Sequence, residues 1–125
     1  MIVIDTSAWI EYLSGTIKGE VVKKAMEKED GLTPSVVLIE LSCKLDKKEH
    51  NFQNILNFIK SKTTIIGIKE KTIIKCGELY IEERKKETGF SMIDAVILAI
   101  AEENNAKIIT KDNHFKDFKG VILLK

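Results

Sequence analysis

Ile2-Val3-Ile4 is a run of three β-branched residues close to the start of the chain, the pattern of a short strand buried on both faces. Asp5-Thr6-Ser7 ends the run, and Ala8 to Leu13 predicts a short helix that Gly15 stops. Residues 17–29 follow with helical spacing, Ile17, Val21, Val22 and Ala25 lying on one side. Asp30-Gly31 reads as a turn and Leu32-Thr33 as a brief strand. Thr33 is expected to cap a helix with Pro34 in its first turn, running to about Leu45. A second helix is expected near 49–61, where Phe52, Ile55, Leu56 and Ile59 recur at i, i+3, i+4 and i+7. The β-branched stretch from Thr63 to Ile68 predicts a strand. A long helix is expected over 70–87, with Ile73, Cys76, Gly77, Tyr80 and Ile81 as its buried stripe and Gly89 as its stop. Ser91-Met92-Ile93-Asp94 opens a helix that is nearly all apolar through Ala101 and closes at Asn104-Asn105. Lys107 to Thr110 reads as a strand, Lys111 to Phe118 as a loop, and Val121 to Leu124 as a last strand.

Strands alternate with helices throughout, without repeat, low-complexity segment or linker. That order predicts an α/β fold with a mostly parallel sheet covered by helices on both faces, a three-layer α/β/α arrangement. A length of 125 residues fits one domain spanning 1–125.

This topology makes certain acids conspicuous. In an open parallel sheet, ligands bind beyond the carboxyl ends of the strands, where the strand order reverses. Asp5 directly follows the first strand, and Asp112 follows Ile108-Ile109-Thr110 by one residue. If those strands are neighbours, both carboxylates enter one crevice. Glu40 sits in Val36-Val37-Leu38-Ile39-Glu40-Leu41, a helix apolar on nearly every face. A buried lone carboxylate costs several kcal/mol unless a cation compensates it. The alternative is a Glu at a gap in the apolar surface, reaching water or pairing with a lysine. Asp94 is open to two readings as well. Ser91-x-x-Asp94 before an apolar run fits a capping box, and the same position holds a carboxylate over the end of the sheet. Four converging acids would repel one another. One or two hard divalent cations, Mg²⁺ or Mn²⁺, would relieve that repulsion. Two such ions roughly 3.5–4 Å apart can drive phosphodiester hydrolysis.

Composition narrows the rest. The chain is 44% hydrophobic and 31% charged, as expected of a globular protein with a core. It has no apolar run of about 20 residues and no secretory signal pattern, so a cytoplasmic location without a membrane partner is expected. The net charge is +1, which excludes a generally basic nucleic-acid binder. Locally, five lysines face two aspartates from Asn105 to the end, and Arg84-Lys85-Lys86 forms a basic knot. Lys111, Lys116, Arg84 and Lys85 are therefore candidate phosphate contacts. Cys43 and Cys76 match no zinc or redox spacing and are expected to be small buried hydrophobes. His50 and His114 are isolated and read as surface or packing residues.

Four segments together resemble the PIN domain, and in size and spacing the VapC-type toxin ribonucleases, over essentially the whole chain. Met1-Ile2-Val3-Ile4-Asp5-Thr6-Ser7-Ala8-Trp9 is similar to the family's first strand and Asp-x-Ser motif. Thr33-Pro34-Ser35-Val36-Val37-Leu38-Ile39-Glu40-Leu41 resembles its Glu-bearing helix, and Ser91 to Ala99 its Asp-helix. Thr110-Lys111-Asp112-Asn113-His114-Phe115 resembles its Thr-x-Asp-x-x-Phe motif. The resemblance implies a sheet of about five strands and Mg²⁺- or Mn²⁺-dependent cleavage of RNA. It makes Asp5, Glu40, Asp94 and Asp112 the metal-holding catalytic quartet, with Ser7 and Thr110 orienting carboxylates by hydrogen bonds. It further implies a homodimer and a small antitoxin that plugs the site. Asp117 fits none of the quartet motifs and reads as a surface residue or an outer helper. Rival readings are a PIN-type nuclease of ribosomal RNA processing or RNA quality control without an antitoxin, and a non-catalytic RNA- or protein-binding module. A haloacid-dehalogenase-like phosphatase would want an Asp where Ser7 stands, and a phospho-receiver would want an acceptor Asp in 50–68, which has none.

Overall fold

Short strands separated by helices build a single sheet in the structure, a computed structural model describing residues 1–45, 47–48 and 51–125. In chain order the elements are β1 (Ile2–Ile4), α1 (Thr6–Leu13), α2 (Ile17–Lys28), β2 (Gly31–Pro34), α3 (Ser35–Lys44) and α4 (Phe52–Lys62). They continue with β3 (Thr64–Ile66), α5 (Glu70–Arg84), α6 (Met92–Glu103), β4 (Lys107–Thr110), a 3-10 turn (Asn113–Phe115) and β5 (Val121–Leu123). Among the described residues the sheet has five strands in the order β3-β2-β1-β4-β5. Every neighbouring pair is parallel. Helices cover the sheet in a three-layer α/β/α arrangement. No helix among the described residues is long and apolar enough to cross a membrane.

The chain leaves β1 for β2 and β3 on one side and returns to β4 and β5 on the other. Order therefore reverses at β1 and β4, opening a crevice beyond their carboxyl ends. Ile4 lies opposite Ile109, so Asp5 and the Thr110–Asp112 segment leave the sheet together. β1 is wholly buried, and Ile108, Ile109, Trp9, Phe90, Phe115 and most of α6 complete the core around it. A buried relay of hydrogen bonds ties α1 to β2 and α4. The Trp9 indole N–H donates to Thr33 Oγ1 at 3.1 Å. The Thr33 and Thr63 hydroxyls lie 2.7 Å apart, and Thr63 donates to the Ile59 carbonyl at 3.1 Å. No buried polar atom of this relay is left unpaired.

Several expectations need correction. Thr33 does not cap α3. It lies in β2 with its hydroxyl engaged in that relay, and Pro34 takes the capping position without a side-chain bond. The buried faces of α2 and α5 are partly rotated from those expected. On α2, Val22 is buried and Ala25 packs against the core as expected, but Ile17 and Val21 are exposed and Gly19 is buried. On α5, Cys76 and Tyr80 pack against the core as expected, but Ile73, Gly77 and Ile81 are exposed, and Thr72 and Leu79 are buried. Polar anchoring decides that face: the Thr72 hydroxyl accepts from the Lys69 N–H at 3.2 Å and donates to Glu103 of α6 at 3.0 Å. α3 is not apolar-buried all round, because it buries Val37 and Leu41 but leaves Ile39 62% exposed. Cys43 is exposed rather than buried, and Cys76 is half-buried. α5 ends at Arg84, and β3 and β5 are shorter than the runs that predict them. His50 and the expected start of the second helix near 49 lie outside the described residues.

Candidate active site

Asp5 leaves β1 in extended conformation and caps α1, its Oδ1 accepting the Thr6 N–H at 2.7 Å. Its Oδ2 accepts the Thr110 hydroxyl at 2.6 Å and lies 3.4 Å from the Ser7 hydroxyl. Burial pushes Asp5 from its ordinary 3.8 up to about 6, against the hydrogen bonds from Thr110 and Thr6, with repulsion from Asp94 and Asp112 adding to the rise. Thr110 is the hub on the β4 side. While donating to Asp5 it accepts the Asp112 N–H at 2.9 Å and lies 3.2 Å from Ser7. Ser7 in turn accepts the Lys111 N–H at 2.9 Å. These bonds fix the turn after β4 against the turn after β1.

Asp94 answers to both of its sequence readings. Its N–H donates to Ser91 Oγ at 3.0 Å and its Oδ2 accepts the Ser91 N–H at 2.8 Å, a complete capping box. Its other oxygen, Oδ1, receives no hydrogen bond from a described residue. Burial raises its pKa, with repulsion from Asp112 in the same direction. Asp112 caps the 3-10 turn through Oδ1, which accepts the His114 N–H at 2.8 Å. Its Oδ2 is likewise free of hydrogen bonds among the described residues. Glu40 reaches the site from α3, its Oε1 accepting the buried Thr6 hydroxyl at 2.6 Å. It also pairs with Lys44 one turn on, at 3.7 Å, so the expected alternative of a lysine partner is present alongside the placement at the site.

The four acids line one crevice of about 160 Å³, with Ser7, Lys44 and His114 in its wall. Three residues there were missed or misread from sequence. Thr6 joins α1 to Glu40, and Lys44 is the one lysine among the described residues of the wall; Thr6 stands only at the unspecified position of the Asp-x-Ser motif, and Lys44 in no motif. His114, expected at the surface or in packing, has its Nδ1 3.1 Å from Asp94 Oδ2 and 2.9 Å from Asp112 Oδ1. The expected phosphate contacts lie outside the wall. Lys111 is held by Glu11 at 2.8 Å, and Arg84 by the Tyr80 hydroxyl. Lys85, Lys116 and Asp117 are exposed.

The donor set suits a hard cation. Asp5 and Asp94 are destabilised as anions by burial and by neighbouring carboxylates, and Asp94 and Asp112 each spend only part of their acceptor capacity on the backbone. A divalent ion there would relieve the repulsion and take lone pairs that these carboxylates leave unused.

A five-stranded parallel sheet with acids converging at its switch point defines a nuclease-like α/β class, and the PIN domain model matches residues 2–121. The chain belongs to the PIN domain family. It is similar to the VapC ribonuclease of Mycobacterium bovis and to Ribonuclease VapC11 of Mycobacterium tuberculosis. Each is 29% identical over 121 residues, which cover 92% of this chain and 89% of the relative. Solved structures share the fold. A toxin–antitoxin complex from Klebsiella pneumoniae superposes with a TM-score of 0.81 at 23% identity, covering 100% of this chain and 98% of that one. VapBC2 from Rickettsia felis, bound to a DNA fragment from its promoter, gives 0.74 at 24% identity, covering 98% and 97%.

Proposed function

We propose that this chain is a metal-dependent endoribonuclease, the toxin of a type II toxin–antitoxin pair, acting as a single nuclease domain in the cytoplasm. The observation that carries the reading is the convergence of Asp5, Glu40, Asp94 and Asp112 on one crevice at the β1–β4 switch point. These four hold one or two ions, Mg²⁺ or Mn²⁺. When bound, such an ion polarises water for attack on the phosphorus and neutralises charge on the departing oxygen. Thr110 and Ser7 hold the Asp5 carboxylate in one orientation, and Thr6 does the same for Glu40. Asp94 and Asp112 each accept a backbone N–H through one oxygen and keep their remaining lone pairs for the ion. Lys44, in the crevice wall, meets the substrate phosphate. Lys116 and Lys85 are candidates for flanking phosphates, with Lys111 and Arg84 available only on release from Glu11 and Tyr80. The toxin–antitoxin complexes among the related folds support a small antitoxin as partner, and a homodimer accompanies that reading.

Induced expression in a bacterial host tests it. Growth is expected to stop with fragmentation of RNA, and to resume with Asp5→Asn or with co-expression of a small protein encoded beside the toxin. Unimpaired growth and intact RNA with folded, abundant chain would contradict the proposal.

A further inference from the structure

His114 is a histidine at the acidic crevice that the quartet leaves without a role. Its ring is held on two sides. On one, Nδ1 stands 2.9 Å from Asp112 Oδ1 and 3.1 Å from Asp94 Oδ2. On the other, the ring lies against Gly89, where an added Cβ would come within 2.5 Å of Nε2 and 3.2 Å of Cε1. A side chain at 89 would push the ring out of its slot, so glycine there is what lets Nδ1 face the acids.

We infer that His114 is a nitrogen ligand of the metal centre, completing with Asp94 and Asp112 a mixed nitrogen–oxygen donor set that favours Mn²⁺ over Mg²⁺. The inference rests on the nuclease reading above and specifies its metal site. A single hydrogen on Nδ1 lies in one direction in the ring plane and serves one carboxylate well, yet Nδ1 is nearly equidistant from two. One cation among the three atoms satisfies them all, and the three lie within 4.8 Å of one another. The spacings agree. Bonds of roughly 2.1 Å to an octahedral ion put adjacent ligand atoms about 3.0 Å apart, and the two nitrogen–oxygen separations are 2.9 and 3.1 Å. The chemistry sets the preference. Carboxylates bind Mg²⁺ and Mn²⁺ alike, whereas imidazole nitrogen adds affinity for first-row transition ions and little for Mg²⁺.

The test is Mn²⁺ binding to the purified, antitoxin-free full chain, read by electron paramagnetic resonance. Pulsed spectra of the wild type are expected to show coupling to a directly bound ¹⁴N, which changes on ¹⁵N-histidine labelling. His114→Ala is expected to lose that coupling and to bind Mn²⁺ about tenfold or more weakly, with a smaller change for competing Mg²⁺. Bound Mn²⁺ without nitrogen coupling in the wild type would overturn the role of His114 while leaving the acidic centre intact. Equal Mn²⁺ binding by wild type and the Asp94→Asn, Asp112→Asn double variant would overturn the centre itself, and this inference with it.

Discussion

Asp5 joins two demands in one carboxylate, since it caps α1 and faces the acids of the crevice. Held at about 6 against its ordinary 3.8, it opposes folding once ionised. Its contribution to the stability of the metal-free protein is present in full below about 4 and is lost as pH rises through about 6. Asp94 is shifted in the same direction. Asp5→Asn keeps the acceptor for the Thr6 N–H, turns an amide donor toward the Thr110 hydroxyl oxygen, and removes the charge. In EDTA the variant is expected to be more stable than wild type at pH 7 by about 1–3 kcal/mol, with the gap closing near pH 4. Urea midpoints measured from pH 4 to 8 check this, and a less stable variant at pH 7 would refute the account of Asp5. At this scale three of the acids were legible because each sits where an element changes, a strand end for Asp5 and Asp112 and a helix start for Asp94, and Glu40 because it interrupts an apolar helix. Thr6 was not, because its bond to Glu40 depends on α1 meeting α3 across 34 residues of chain, and Lys44, one helical turn from Glu40, was foreseen only as an unnamed lysine partner. His114 looked isolated because both of its acidic neighbours reach it through a turn and a second helix.

The elements themselves were readable from periodicity, but their inward faces were less so. Apolar spacing on α5 selects Ile73, Cys76, Gly77, Tyr80 and Ile81; Cys76 and Tyr80 do meet the core, while the threonine contact to α6 turns Thr72 and Leu79 inward and leaves the other three outside. Apolar residues are common on solvent faces, so spacing alone does not say which side meets the core. Two glycines convert this into opposite predictions. A Cβ on Gly19 of α2 would lie 2.3 Å from the Glu11 carbonyl oxygen of α1, and backbone cannot yield cheaply. Gly19→Ala is expected to destabilise by about 1–3 kcal/mol despite its better helix propensity. A Cβ on Gly77 of α5 meets nothing within 4 Å, so Gly77→Ala is expected to stabilise by about 0.5–1 kcal/mol. Urea unfolding of the two variants reads both signs, and a stabilised Gly19→Ala would show that α1 and α2 do not pack this closely.

For the molecule as a whole, the parallel sheet is what turns scattered acids into a site. Residues 5, 40, 94 and 112 come from four separate segments, and only the reversal of strand order at β1 and β4 brings their carboxylates together. Alternation of strand and helix was enough to foresee a parallel sheet with a switch point, because such a sheet with short connections has few ways to wind, but that β1 and β4 are the neighbours at it came only with the strand order. The central claim is that the assembled acids, with a divalent ion, cut RNA. The most direct measurement is cleavage of a mixed cellular RNA pool by purified chain in Mg²⁺, in Mn²⁺ and in EDTA, beside Asp5→Asn and Asp94→Asn. Cleavage that requires the metal and disappears in both variants is predicted; intact RNA under every metal, or equal cleavage by wild type and variants, would contradict it.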